Sequence, residues 1–157
     1  MCADPEVMAT IGPLQTPDEA AAGMARMDAG IARDGHGFWA LERRADGALL
    51  GFCGIKPGPE ATPIAGLPEI GWRLARAAWG RGLASEAAAA CLAWAWANRD
   101  WPAVYAITTP GNARSLAVMA RLGMAEVAGG AFDHPAVPAG HPLRPHLTFR
   151  IARPQEA

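Results

Sequence analysis

The chain has 157 residues, of which 51% are hydrophobic and 18% are charged, and its net charge at pH 7 is −1. This composition excludes an intrinsically disordered chain, and the small net charge argues against a protein that follows the phosphate backbone of nucleic acid. A chain of this length can bury one substantial core, so we predict a single domain over residues 1–157.

The cysteines and the apolar segments indicate the cellular compartment. Cys2, Cys53 and Cys91 are far apart and odd in number, which argues against a disulfide framework. Residues 1–8 lack the basic region and apolar block of a secretory signal, and the apolar run 83–96 is too short to cross a bilayer. These features predict a cytoplasmic protein that binds neither a membrane nor nucleic acid.

Two helices and a hairpin are predicted in the first third of the chain. Asp4 and Pro5 begin a short helix that ends near residue 10. Thr16 and Pro17 begin a second helix, which ends near residue 34 and carries apolar residues at helical spacing, namely Ala20, Met24, Met27 and Ile31. Residues 38–43 and 49–55, on either side of an Asp-Gly turn, predict a β-hairpin, and a proline-rich loop follows it.

The segment 69–97 combines a strand, a glycine turn and a helix. Residues 69–74 alternate as a strand does, residues 79–82 read Trp-Gly-Arg-Gly, and residues 83–97 contain neither Gly nor Pro. This order directs free backbone N–H groups and the positive end of a helix dipole to one point, and Gly80 and Gly82 let a ligand approach the backbone. Arg73, Arg76 and Arg81 add positive charge.

The turn therefore predicts a pyrophosphate-binding loop, with a ligand-free tight turn as the alternative. It is not a Walker loop, because no Gly-Lys-Ser/Thr follows, and Ser85 stands where the dinucleotide fingerprint has its third glycine.

Strands and helices continue to alternate in the last third. We predict a strand at 104–108, a helix at 113–122 between Asn112 and Gly123, a short strand at 126–128, a proline-rich loop at 133–145 and a last strand at 146–152. This order is typical of an α/β (α+β) domain with a central mixed sheet flanked by helices.

Several segments resemble one family in the order in which they occur. The segment 69–87, EIGWRLARAAWGRGLASEA, is similar to the acetyl-CoA loop of the GNAT acyl-CoA N-acyltransferase superfamily, in particular its RimJ/RimL-like branch. Residues 104–108, the Asn-Ala-Arg-Ser motif at 112–115 and the tail at 132–146 also resemble members of this family. The resemblance covers residues 3–153 and implies the GNAT fold.

The resemblance includes one departure. The family has a further strand before the segment that matches residues 3–8, so either the start of the gene is mis-assigned or the domain folds without the usual first edge strand; the second alternative has a structural consequence. The strand at 38–43 would then carry unpaired backbone groups, which favours lower stability or association through this edge. We expect a monomer or a homodimer.

The resemblance implies acetyl-CoA as co-substrate, with its pantetheine arm between two splayed parallel strands and its pyrophosphate on the glycine loop. The implied cofactor-binding residues are Trp72, Arg73, Leu74, Trp79, Gly80, Arg81, Gly82, Leu83, Ala84, Ser85 and Asn112. Asn112 can also act as a helix N-cap, and the two roles are compatible. Ser115 lies one helical turn further and could face the thioester.

The candidate catalytic residues follow from the same resemblance. Many family members have a tyrosine as general acid where this chain has Met119, so Ser115 or a water would protonate the thiolate. Glu69 is the candidate general base, and an ion pair with Arg73 is the alternative role. We expect Trp39 and His134 to border the acceptor cleft, and no metal site, because the spacing of His134, His141 and His146 is not a helical metal pattern.

The sequence therefore predicts an N-acetyltransferase that transfers an acetyl group from acetyl-CoA to a primary amine by direct attack. The acceptor would be a protein N-terminal α-amine or a small-molecule amine. The alternatives are a non-catalytic acyl-CoA-binding module of the same fold and an unrelated nucleotide-binding domain.

Overall fold

A computed structural model describes residues 1–155 of the chain. Its helices are α1 (Pro5–Met8), α2 (Pro17–Asp34), α3 (Leu83–Asn98) and α4 (Ala113–Arg121), and a single 3₁₀ turn spans Arg76–Ala78. Its strands are β1 (Phe38–Glu42), β2 (Leu49–Pro57), β3 (Pro68–Leu74), β4 (Ala103–Thr108), β5 (Ala125–Glu126), β6 (Phe132–Asp133) and β7 (Pro145–Ala152). None of the described helices is long and apolar enough to cross a membrane.

The strands form one mixed sheet in the order β1-β2-β3-β4-β7-β5, with β6 paired to β7. Every pair is antiparallel except β3 and β4. The predicted mixed sheet is therefore confirmed. Within residues 1–155, β1 pairs only with β2 and forms one edge of the sheet.

The parallel pair at the centre of the sheet separates almost at once. β3 and β4 are in register only at Glu69 and Tyr105, although β3 continues to Leu74 and β4 to Thr108. On its other side β3 stays paired with β2 along its whole length. The two carboxyl ends therefore diverge, and the edge of β3 beyond Glu69 that faces β4 has no strand partner.

Local capping signals begin the first two helices where the sequence predicts them. The Asp4 side chain accepts hydrogen bonds from the N–H groups of Glu6 and Val7, and Thr16 and Glu19 form a complete capping box. Gly35 ends α2 in a left-handed conformation, with φ 71°. The apolar residues of α2 do not form a core face, however, because none of its residues is buried and Met24 is 59% exposed.

The core lies between the sheet and α3. Cys53, Ile55 and Ile70 point from β2 and β3 toward α3, where alanines and Leu92 let the helix approach closely. The thiols of Cys53 and Cys91 lie 3.7 Å apart and are not bonded covalently. Met119 of α4 is also fully buried in this core.

One glycine is required by the packing of the sheet. At Gly54 in the middle of β2, a Cβ atom would lie 1.8 Å from the carbonyl oxygen of Gly37. The chain entering β1 can therefore lie this close to β2 only because no side chain is present there.

Residues 1–15, called here the N-terminal segment, pack against the diverging ends of β3 and β4. Val7 and Met8 are buried, and Glu6 forms an ion pair with Arg76 in the 3₁₀ turn. The Thr109 hydroxyl donates to the carbonyl oxygen of Thr10 at 3.2 Å. Residues far apart in the chain are thus brought to the same end of the sheet.

Candidate active site

A cleft of about 480 Å³ opens where β3 and β4 diverge. Three parts of the chain form it: the N-terminal segment, the stretch from β3 to the start of α3, and α4. Its lining residues are Val7, Thr10, Ile11, Trp72, Arg73, Leu74, Ala78, Trp79, Gly80, Gly82, Leu83, Ala84, Ser85, Asn112, Arg114, Ser115, Ala117, Val118 and Arg121.

The glycine loop has the backbone that an anion site requires. Gly80 and Gly82 have φ values of 73° and 75°, and a Cβ atom at either position would meet no protein atom within 4 Å. The first hydrogen bond of α3 runs from the Glu86 N–H to the Gly82 carbonyl oxygen at 3.0 Å. The N–H groups of residues 83–85 precede that bond, so they have no helical acceptor and are free to bind an anion at the cleft.

Trp79 holds this loop in place and brings positive charge to it. Its indole Nε1 donates to the Leu74 carbonyl oxygen at 3.0 Å. The guanidinium groups of Arg114 and Arg76 lie 4.1 and 5.0 Å from the centre of its ring system. Arg114 also lines the cleft, whereas Arg76 is paired with Glu6.

Two further polar groups fit a bound polar ligand. Ser85 Oγ is buried in the cleft lining without a hydrogen-bond partner among the described residues. Asn112 Oδ1 accepts from the Ser115 N–H at 3.2 Å, so Asn112 does act as the N-cap of α4. Its amide Nδ2 donates to no described residue and remains free for a ligand.

A second group of polar side chains lies at the point where β3 and β4 are still paired. We call it the Glu69 cluster; it comprises Lys56, Glu69, His134 and His146. Lys56 lies opposite Glu69 in the β2–β3 register, and its ammonium group forms an ion pair with the Glu69 carboxylate. The ring centres of His134 and His146 are 4.8 Å apart. Sequence reasoning placed Arg73 beside Glu69, but the partner is Lys56.

Burial and neighbouring charges act in opposite directions on Glu69. Burial raises the pKa of this carboxyl group, and the positive charge of Lys56 partly offsets the increase, as does that of His146 when its ring is protonated. The net effect is a pKa above the ordinary value for glutamate. Burial, followed by the charges of His146 and Lys56, lowers the pKa of His134. Glu69 therefore binds a proton more readily than an exposed glutamate.

Backbone contacts assign opposite tautomers to the two histidines. Nδ1 of His134 accepts from the Ala136 N–H at 3.2 Å, so its proton is on Nε2. Nδ1 of His146 lies 3.1 Å from the Arg144 carbonyl oxygen, so this nitrogen is the donor. No group of three or more His, Cys, Asp or Glu side chains among residues 1–155 is placed to hold a metal ion.

Comparison with known proteins identifies the family. The family model described as "Acetyltransferase (GNAT) domain" matches residues 1–125, which is most of the chain. The chain belongs to the GNAT acetyltransferase family.

Relatives and solved structures agree with this assignment. The uncharacterized protein YkkB of Bacillus subtilis (strain 168) is 38% identical over 90 residues, and the match spans 57% of this chain and 51%, about half, of YkkB. An acetyltransferase from Agrobacterium tumefaciens str. C58 is 27% identical with a TM-score of 0.74, over 96% of this chain and 80% of that one. The yncA protein of Salmonella typhimurium, solved with its cofactor acetyl-CoA, shares the fold at 18% identity and a TM-score of 0.71, over 98% and 85% of the two chains.

The GNAT domain brings most of the predicted site residues together. All the predicted cofactor-binding residues except Arg81 line the cleft, and Ser115 lines it too. Arg81 is exposed and lies outside the lining. Glu69 and His134 both belong to the Glu69 cluster, where each lies near Lys56 and His146. Trp39 does not join them: it packs edge-on against Trp94 of α3, with ring centres 5.0 Å apart, on the face of the sheet opposite to Lys56.

Some residues of the GNAT site could not be found by reading the sequence. Lys56 falls just beyond the predicted end of its strand, and only the register of β2 with β3 places it on Glu69. Arg114 and Arg121 reach the cleft because α4 starts beside the glycine loop. The N-terminal segment carries no motif that indicates a cleft wall.

Proposed function

We propose that this GNAT acetyltransferase domain transfers the acetyl group of acetyl-CoA to a primary amine by direct attack of the amine on the thioester. One observation carries the proposal: the parallel strands β3 and β4 part immediately after Glu69. The same strand, β3, therefore carries a buried carboxylate with a raised pKa and, a few residues further on, one wall of the ligand cleft. A cofactor bound in the cleft would have its reacting end next to a base.

The cleft residues account for how the domain would hold acetyl-CoA. The free N–H groups of residues 83–85, the Ser85 hydroxyl and Arg114 would bind the pyrophosphate, with Gly80 and Gly82 leaving room for it. The unpaired edge of β3 at residues 72–74 would bind the pantetheine arm, and Asn112 Nδ2 is a further donor. When bound, acetyl-CoA supplies the activated acetyl group.

Glu69 is the proposed general base. It must take a proton from an acceptor ammonium group, and a carboxylate whose pKa is raised does this more readily than an exposed one. His134 would border the acceptor, because it belongs to the Glu69 cluster and carries its proton on Nε2, where it can donate a hydrogen bond. Ser115 lines the cleft and would protonate the departing thiolate, directly or through water.

The proposed acceptors are protein N-terminal α-amines and small primary amines. The sequence resemblance to the RimJ/RimL-like branch supports the protein α-amine. The partly exposed Lys56 at the Glu69 cluster supports access for an amine-bearing chain from solvent.

The test combines cofactor binding with turnover. Calorimetry should detect acetyl-CoA binding, and a panel of α-amino peptides and small amines should include acceptors that release coenzyme A thiol. Glu69→Gln should lower kcat about 100-fold or more with little change in acetyl-CoA affinity, whereas Glu126→Gln, which changes an exposed glutamate on β5, should leave kcat unchanged. Failure to bind acetyl-CoA would end the proposal.

A non-catalytic acyl-CoA-binding module is the second candidate. It is favoured by Met119, which stands where many family members have a tyrosine as general acid. Met119 is fully buried, and its side chain has no proton to donate to the thiolate. Tight acetyl-CoA binding without thiol release on any amine would support this candidate over the enzyme.

A further inference from the structure

Lys56 is the only lysine in the chain, so its Nζ is the only side-chain amine. This amine has a defined position. It forms the ion pair with Glu69, donates to the Pro57 carbonyl oxygen at 3.2 Å and lies 5.7 Å from the ring centre of Phe38. A single amine is thus held against the candidate general base.

The environment of the pair suits acetyl transfer. The Glu69 side chain is 11% exposed and the Lys56 side chain 35% exposed, so the carboxylate is largely shielded from solvent while the amine is accessible. Nucleophile and base within hydrogen-bond reach form the arrangement that activates an amine. Because burial raises the pKa of Glu69, its carboxylate can accept a proton from the neighbouring ammonium group.

The position of the pair relative to the cleft is equally specific. Glu69 is in the only register pair of β3 with β4, and Trp72, the first residue of β3 in the cleft lining, is three residues further along. That spacing is about 10 Å of strand, within the reach of two side chains and a thioester arm. Any acceptor that uses Glu69 as its base must bring its amine to the carboxylate that already holds Lys56.

We propose that Lys56 is a self-acetylation site, which rests on the proposed function of the cleft. Acetyl-CoA bound in the cleft is the acetyl donor. Nζ attacks the thioester carbonyl carbon, the N–C bond forms and the C–S bond breaks. Of the two protons that Nζ loses, one passes to Glu69 and one ends on the coenzyme A thiol. The product is a neutral amide that cannot pair with Glu69, formed once per molecule.

The first experiment incubates the pure protein with acetyl-CoA and no acceptor, and locates acetyl groups by peptide mapping with mass spectrometry. Lys56 should gain one acetyl group at a rate per molecule that does not depend on protein concentration. The rate should be about tenfold or more above that of Glu69→Gln. Lys56→Arg, which keeps the charge, should gain none at this position.

The second experiment measures a property that needs no turnover. Desulfo-coenzyme A, which has no thiol to react with the reagent, should slow the reaction of Lys56 with N-hydroxysuccinimide acetate, because the end of the bound pantetheine arm would cover Nζ. This measurement uses the unmodified chain, so it remains informative if Glu69→Gln does not fold.

The following results would overturn the inference of self-acetylation without overturning the proposed function. Equal acetylation of Lys56 in Glu69→Gln or in heat-denatured protein would show simple chemical reactivity and overturn the inference. So would an unmodified Lys56 in protein that binds acetyl-CoA and acetylates an added amine, or an unchanged Lys56 reactivity with desulfo-coenzyme A bound. Absence of any acetyl-CoA binding would instead remove the proposed function itself.

Discussion

Single residues in the Glu69 cluster have roles that depend on charge rather than on shape. Glu69 is buried, and its pKa is raised by that burial and partly restored by Lys56 and His146. The proposed base, which must ionise to act, is therefore placed where ionisation is costly. Lys56 limits that cost from β2, and His146 does so from β7.

Lys56→Met should move the low-pH limit of activity upward. Removal of the ammonium charge raises the pKa of Glu69 further. As the pH falls, the carboxylate is therefore protonated at a higher pH than in the original protein. We expect the low-pH limb of the kcat profile to lie at a higher pH in Lys56→Met, while Lys56→Arg keeps a limit close to the original. The pH dependence of kcat with a fixed acceptor measures this. Superimposable profiles of the Met variant and the original protein would contradict the proposed influence of Lys56 on Glu69.

At the level of elements, the strand, the glycine loop and α3 form a unit whose local chemistry can be read from the sequence. Gly82 has a left-handed backbone with open space before it, and α3 starts there without a side-chain cap. Asp4, Thr16 and Gly35 likewise begin or end helices through local hydrogen bonds, which explains why those boundaries were predicted well. The two-residue strand β6 was missed because it exists only through pairing with β7.

Gly82→Asp and Gly82→Asn form a matched pair for the glycine loop. Both residues tolerate the left-handed conformation better than most side chains do, and they are similar in size, so they differ chiefly in charge. The aspartate would place a negative charge beside the free N–H groups of α3. We expect the acetyl-CoA KM of the Asp variant to exceed that of the Asn variant by about tenfold or more, with similar kcat. Equal KM values in steady-state kinetics would mean that no phosphate binds at this loop.

For the whole molecule, the cleft depends on segments that are distant in sequence. Ile11 of the N-terminal segment, Trp72 of β3 and Arg121 of α4 line the same space. Periodicity predicted the strand and the helix but gave no reason to bring the first helix to the cleft, since that contact rests on the Glu6–Arg76 pair and on Thr109. The same limitation applies to Met24, whose helical spacing predicted an apolar face that the fold leaves exposed.

Acetyl-CoA should therefore protect the N-terminal segment from proteolysis. Ile11 is 37% exposed and borders the cleft, whereas Leu49, at the start of β2, is 61% exposed and lies outside it. A ligand that contacts all three walls disfavours local opening of the segment, so saturating acetyl-CoA should slow thermolysin cleavage before Ile11 by about tenfold. Cleavage before Leu49 is the internal control and should slow much less. Equal slowing at both positions would indicate general stabilisation without contact to the segment.

The single lysine also affects how the protein can be handled. Reagents that couple through side-chain amines, such as dyes, biotin esters and activated sensor surfaces, can attach to a side chain only at Lys56, where the amine contacts the buried carboxylate of Glu69. Immobilisation through Lys56 would block the proposed acceptor entrance in the molecules attached there. Attachment through a cysteine introduced far from β2, with the partly exposed Cys2 replaced by serine, would leave that entrance open.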